Sequence, residues 1–215
     1  MSSIWTDIEI ISNIRRDQFE IEPFFPASIQ PASIDLHAGL YGKVVRNDVQ
    51  ELDPRNPPEE DSWADIRLGN RYSLLPGHTI LIATREKVKL NSNTCGFIAS
   101  CSSLGRLGLM THSLPWIDPG YEGVLTIALS NTNIVPIVLY DNMRVCQLVL
   151  ATGAGEAYKP YVGRYIGSKD VTVPKRPSSK PKDTHWIHVA LRNKEADGFV
   201  THFNSREEHE AYIRE

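Results

Sequence analysis

Apolar residues first return at helical spacing: Trp5, Ile8, Ile11 and Ile14 share one face of "WTDIEIISNIRR". The spacing predicts a short helix over residues 5–16, with Thr6 or Asp7 as its N-cap. From about residue 33 the texture changes to short runs: "IDLHAGLYGKVVR", "HTILIATREKVKL", "CGFIASC", "GVLTIALSN", "PIVLYDN" and "RVCQLVLATG". Gly, Pro, Asn and Asp separate them at roughly 8–12-residue intervals, which predicts an all-β barrel or sandwich. "LLPGHT" carries Pro76 and Gly77 in the order a tight turn favours. Such a body has much unpaired edge, so closure or oligomerisation is the expected cover.

Val173 to His185, "VPKRPSSKPKDTH", is rich in Pro, Ser and Lys and reads as a linker or strap. Beyond it, "HWIHVALR", "GFVTHF" and "NSREEHEAYIRE" read as a small ββα appendage. Its helix would be capped by Asn204 or Ser205, with Glu207 and Glu208 in the first turn. His185, His188 and His202 alternate with apolar residues, the habit of a solvated strand face rather than of a metal site. The expected division is a main β domain over residues 1–175 and a linker with C-terminal extension over 176–215.

Composition narrows the function classes. The chain has 215 residues, of which 41% are hydrophobic, and no apolar run approaches the ~18 residues of a membrane span. The N-terminus mixes acidic with apolar residues and does not read as a secretory signal, so a cytoplasmic location is expected. A net charge of −3 argues against nucleic acid as the main partner, but a local phosphate pocket needs only a few donors. Cys95, Cys101 and Cys146 are odd in number and lie in apolar stretches, the pattern of buried free thiols. Their spacing is not that of a structural zinc site.

Two segments carry candidate chemistry. "SSLGRLGL", Ser102 to Leu109, joins hydroxyls, glycine and one arginine at a sharp turn. It is either a cradle for phosphate oxygens or a polar β-turn whose serines cap their own backbone. "WIDPGYEG" places Asp118 between an apolar strand and a Pro-Gly turn. That aspartate is either a turn cap or a general base at a pocket mouth.

"QPASIDLHAG", "YSLLPGHTILIATREKVKL", "SSLGRLGL", "WIDPGYEGVLTIALSN", "RVCQLVL" and "YVGRYIGS" resemble, in order, the motifs of the dCTP deaminase and dUTPase superfamily. The similarity is greater to the deaminase branch and runs from about residue 25 to about residue 175. The resemblance implies a distorted, dUTPase-like β-barrel in a homotrimer with active sites between subunits. It also implies a deoxynucleoside triphosphate bound with Mg2+ that the phosphates hold, in keeping with the few protein ligands magnesium usually takes.

By the same resemblance, Asp118 matches the base that orients water against the α-phosphorus. Tyr121 matches the tyrosine packed under the deoxyribose. Ser102, Ser103 and Gly105 match the phosphate cradle, Arg106 an active-site arginine, and Gln147 a phosphate-contacting glutamine. Asp35 matches an aspartate behind the hydrated metal or at a neighbouring subunit. Tyr161, Arg164 and Tyr165 fall in the segment that folds over bound nucleotide, while His112 and Ser113 lie at the base-reading hairpin.

Three positions depart from the deaminase pattern. Ala128 in "TIALSN" stands where those enzymes carry the glutamate that shuttles protons between attacking water and departing ammonia. Cys101 stands for an arginine and Ser168 for a glutamine. A methyl group does not titrate, so deamination is not expected. The expected activity is pyrophosphohydrolysis of a pyrimidine dNTP, dUTP to dUMP with dCTP to dCMP as a second activity. The rival readings are a dCTP deaminase with a relocated shuttle and a catalytically silent nucleotide-binding protein.

Overall fold

The computed structural model describes residues 3–112 and 116–176. The N-terminus contributes β1 (Ser3–Ile4), α1 (Asp7–Arg15), β2 (Phe19–Glu22) and β3 (Ile29–Gln30). Then come β4 (Ser33–Val45), β5 (Trp63–Arg67), β6 (Tyr72–Leu74), β7 (Thr79–Leu90) and β8 (Thr94–Ser100). The short helix α2 (Ser102–Arg106) leads to β9 (Leu109–Thr111), β10 (Trp116–Ile117), β11 (Glu122–Asn131), β12 (Ile137–Leu139) and β13 (Arg144–Thr152).

The helix expected at the N-terminus forms with Thr6 as its N-cap; the Thr6 amide donates to the Glu9 carboxylate at 2.8 Å. That reciprocal contact satisfies an amide the helix cannot pair internally. Ile10 is its fully buried residue, whereas Ile8 stays exposed.

The main sheet runs β10-β8-β13-β4-β7-β11-β9, with β1 on β13, β2 on β7, and β3 and β5 on β4. A second, two-stranded sheet pairs β12 with β6. The main sheet curls into a half-barrel with few helices, the mainly β, distorted barrel that the strand texture and the resemblance imply. Alternation sets which face turns inward: along β11, Val124, Leu125, Ile127 and Leu129 are buried, while Thr126 and Ala128 are partly open. Ile34, Leu36, Ile80, Ile82, Leu148 and Leu150 fill the core from β4, β7 and β13. Thr126 and Ala128 therefore face the other way.

The expected ββα appendage and its histidines lie outside the described residues. Among the described residues, no helix is long and apolar enough to cross a membrane.

Candidate active site

The outward face of β11 is covered by the chain's own later segment. β9 pairs only with Leu129–Asn131, which leaves the first half of β11 open along that edge. Residues 167–172 lie there instead. Gly167 N donates to Glu122 O at 2.7 Å, and Val124 N to Ser168 O at 2.9 Å. Thr172 N donates to Thr126 Oγ1 at 3.0 Å, and the two threonine hydroxyls are 3.0 Å apart. Gly123 is required by this approach: its φ is 145°, and a Cβ there would come within 2.9 Å of Ser168 N. Val171 packs on Ala83 and Val124. The Arg164 guanidinium bonds the carbonyls of Lys175 and Arg176, and Lys175 Nζ returns a bond to Arg164 O at 2.8 Å. Arg164, expected over nucleotide, fastens this strap.

Under the strap is a cavity of about 290 Å³. Leu81, Thr126 and Ala128 form its floor, His112 and Tyr121 its walls, and Tyr165 with Thr172–Pro174 its roof. The cavity is largely apolar, and Ala128 sits at its base. His112 reaches it because its amide donates to Ala128 O at 2.9 Å, continuing the β9–β11 pairing. Ser113 lies outside the described residues.

A second, smaller cavity of about 80 Å³ is walled by Trp116, Asp118, Tyr121, Tyr161 and Tyr165. Asp118 leaves β10 into a tight turn: Tyr121 N donates to Asp118 O at 3.1 Å, and Gly120 supplies φ 85°. The Asp118 side chain is exposed and accepts from Trp116 Nε1 at 2.8 Å. The residue thus opens a turn and also borders the cavity. Tyr121 is 7% exposed; its hydroxyl donates to Val124 O at 2.7 Å. Its ring lies 5.7 Å from that of Tyr161. Burial, with Tyr161 adding, pushes the Tyr121 hydroxyl up to about 12. Tyr121 and Tyr165 border both cavities, so the two spaces adjoin across them.

The serine segment differs from expectation. Ser102–Arg106 form a five-residue helix rather than a turn. The Cys101 carbonyl accepts from Leu104 N and Gly105 N, each at 3.0 Å, and Gly108 at φ 81° ends the helical stretch. Ser102, Ser103, Gly105 and Arg106 are all exposed. They lie past the far end of β8, whereas the strand leading to Asp118 pairs with its beginning, Ile117 opposite Gly96. At ~3.3 Å per residue, Gly96 to Ser100 alone spans roughly 13 Å. One chain thus presents two separated groups.

Beside the second group lies a buried polar network. Asp35, 5% exposed, accepts from Gln30 Nε2 at 3.0 Å and Arg144 NH1 at 2.9 Å through one oxygen. The other oxygen accepts from Gln147 Nε2 at 3.0 Å. In this chain Asp35 and Gln147, expected near metal and phosphate, therefore engage each other. Cys101 neighbours Arg144, and burial pushes its thiol up; Cys146 is shifted the same way for the same reason. The three cysteines are free and buried.

Thr126, Thr172, Val173, Pro174 and Trp116 line the cavities without having been singled out in the sequence. The first was recoverable from the alternation of β11, whose outward positions include Ala128. Trp116 was recoverable as the residue two before Asp118, hence on its face of the strand.

A family model described as dCTP deaminase-like matches residues 4–153. The "dCTP deaminase, dUMP-forming" of Corynebacterium kroppenstedtii is 38% identical over 169 residues, 77% of this chain and 90% of that protein. That of Persephonella marina is 35% identical over 170 residues, 79% of this chain and 94% of its own. Among solved structures, the 2'-deoxycytidine 5'-triphosphate deaminase from Agrobacterium tumefaciens is similar with a TM-score of 0.58 at 23% identity, a likeness of fold. The match covers 71% of this chain and 49% of that one, so the chain spans about half its length. The family model and these relatives show it plainly: the chain belongs to the dCTP deaminase-like family.

Proposed function

We propose that the protein hydrolyses pyrimidine deoxyribonucleoside triphosphates, dUTP to dUMP and pyrophosphate with dCTP to dCMP as a second activity, and that it does not deaminate. Forming dUMP from dCTP, as the relatives' name describes, takes two hydrolyses: loss of ammonia from the base and loss of pyrophosphate from the α-phosphorus. This chain keeps a carboxylate for the second and has a methyl group where the first needs a proton shuttle. The observation that carries the reading is the pair of adjoining cavities. The one over Ala128 suits a flat pyrimidine, the one at Asp118 the start of the phosphate chain, and Tyr121 between them the sugar.

In this mechanism the Asp118 carboxylate takes a proton from water as the water oxygen bonds to the α-phosphorus. The bond from that phosphorus to the bridging oxygen breaks, and pyrophosphate leaves with the electron pair. Ser102, Ser103 and Arg106 bind the phosphates. In this reading magnesium is carried by the triphosphate; among the described residues no three His, Cys, Asp or Glu side chains gather as metal ligands. A magnesium held by the triphosphate oxygens would neutralise charge that builds on them. Asp35, taken up by Gln30, Arg144 and Gln147, braces the cradle from behind.

The separation of Asp118 from Ser102–Arg106 supports a site completed by a second copy, consistent with a homotrimer. The deciding experiment incubates the purified protein with each dNTP and magnesium and resolves the products. Pyrophosphate with dUMP or dCMP is expected. Ammonia with an intact triphosphate would instead assign a deaminase, with His112 the first shuttle candidate because its side chain borders the Ala128 cavity. No product from any dNTP would leave a binding protein.

A further inference from the structure

Trp116 is 48% exposed, an unusual situation for so large an aromatic side chain. It is nevertheless held on two sides. Its ring meets Phe97 of β8 edge-on, with centroids 4.9 Å apart and planes at 86°, the arrangement aromatic quadrupoles favour. Its Nε1 donates to Asp118 Oδ1 at 2.8 Å. Alternation explains the meeting: Ile117 between them is 2% exposed and points into the core, so Trp116 and Asp118 share the opposite face. Both border the smaller cavity.

We propose that Trp116 is a positioning residue for Asp118, fixing which carboxylate oxygen meets the attacking water. The inference rests on the reading of Asp118 as the general base. An exposed aspartate turns readily about its last torsion, whose energy wells are broad. One charge-assisted hydrogen bond to Oδ1 restrains that rotation and makes Oδ2 the oxygen offered to water. Indole suits the task because its nitrogen is a donor only; it cannot compete for the proton that Asp118 must take. Phe97 in turn fixes the indole, so the carboxylate is held through two rings from β8, a strand inside the main sheet.

Trp116→Phe tests this, since it keeps an aromatic ring beside Phe97 while deleting the donor. It is combined with Asp118→Asn in a double-mutant cycle, with steady-state turnover measured over a range of dUTP concentrations. For Trp116→Phe alone, kcat is expected to fall about 10–100-fold, the scale of a misplaced reacting group, with KM within about threefold. In the Asp118→Asn background the same change is expected to have almost no effect, because residues acting through one another are not additive. The Trp116 indole N–H resonance in a proton–nitrogen correlation spectrum is expected to move on Asp118→Asn, which tests the contact in a chain with Trp116 intact. Equal losses in both backgrounds would assign Trp116 to packing and overturn the proposal. So would wild-type kcat in Trp116→Phe beside a crippled Asp118→Asn, or an unmoved indole resonance. A fully active Asp118→Asn would overturn the reading of Asp118 itself, and this proposal with it.

Discussion

The amide of His112 donates to the carbonyl of Ala128 at 2.9 Å, and both residues border the same cavity. The bond holds Ala128 at a fixed depth beneath the strap, so what its side chain lacks is not supplied by a shift of the strand. The wild-type protein is therefore expected to release no ammonia from dCTP while pyrophosphate release proceeds; a coupled ammonia assay checks this. Ala128→Glu is expected to restore at most a trace, because a shuttle needs its water and partners placed within about 0.5 Å. Deamination of dCTP by the wild type at an ordinary enzymatic rate would refute the assignment.

Asp118→Asn removes the proposed base but keeps the shape of the turn. Turnover is expected to drop by about two to four orders of magnitude, the usual size of a general-base contribution. Nucleotide affinity, measured by calorimetry with a non-hydrolysable analogue, is expected to stay within about threefold. A rate loss below about threefold would place the base elsewhere.

Tyr121 borders both cavities and is locked by its bond to Val124 O at 2.7 Å. A 2′-hydroxyl pressed on this ring would lose its hydrogen bonds to water, so UTP and CTP are expected to be at least roughly tenfold poorer in kcat/KM. Equal rates on ribo- and deoxyribonucleotides would remove the sugar from Tyr121.

The same hydroxyl sets an alkaline limit. Its value in the fold, about 12, lies above the ordinary 10, so the folded chain binds this proton more tightly than the unfolded one. That contribution is complete below about pH 10 and is lost as pH rises through about 12, on the order of 2 kcal/mol in all. Denaturant unfolding between those pH values should show the decline, and Tyr121→Phe should flatten it.

Asp118→Asn and Arg106→Ala lie in the two separated groups of one chain. If neighbouring copies complete each site, refolding the two inactive variants together in equal amounts should restore about a quarter of wild-type activity by random assortment in a closed ring. No recovery, with a trimer confirmed by light scattering, would put both groups of each site in one chain.

The long strands were legible in the sequence because their alternation and turn residues agree. "HTILIATREKVKL" became Thr79–Leu90 and "GVLTIALSN" became Glu122–Asn131, each within a residue of the expected start. The pieces not anticipated are short: Trp63–Arg67, for example, draws its pairing from β4 rather than from a period of its own. Ser102–Arg106 misled because Ser and Gly favour turns locally, whereas the carbonyl of Cys101 captures two following amides and winds them into a helix. Asp118, Tyr121 and Ala128 were visible from motif order. The threonine pair, the Asp35 network and the grip of Arg164 were not, because each joins residues whose distance along the chain carries no pattern.

The strap along β11 has a consequence for the protein's behaviour in solution. Residues 167–172 occupy the edge of β11 that β9 leaves bare, and Thr172–Pro174 continue over the Ala128 cavity. Without the strap, Glu122 O and Val124 N would lose their partners, leaving an open strand edge of the kind that recruits foreign strands. The segment is thus a built-in blocker of strand addition, and a chain cut short before residue 167 is expected to clump sooner than the full chain.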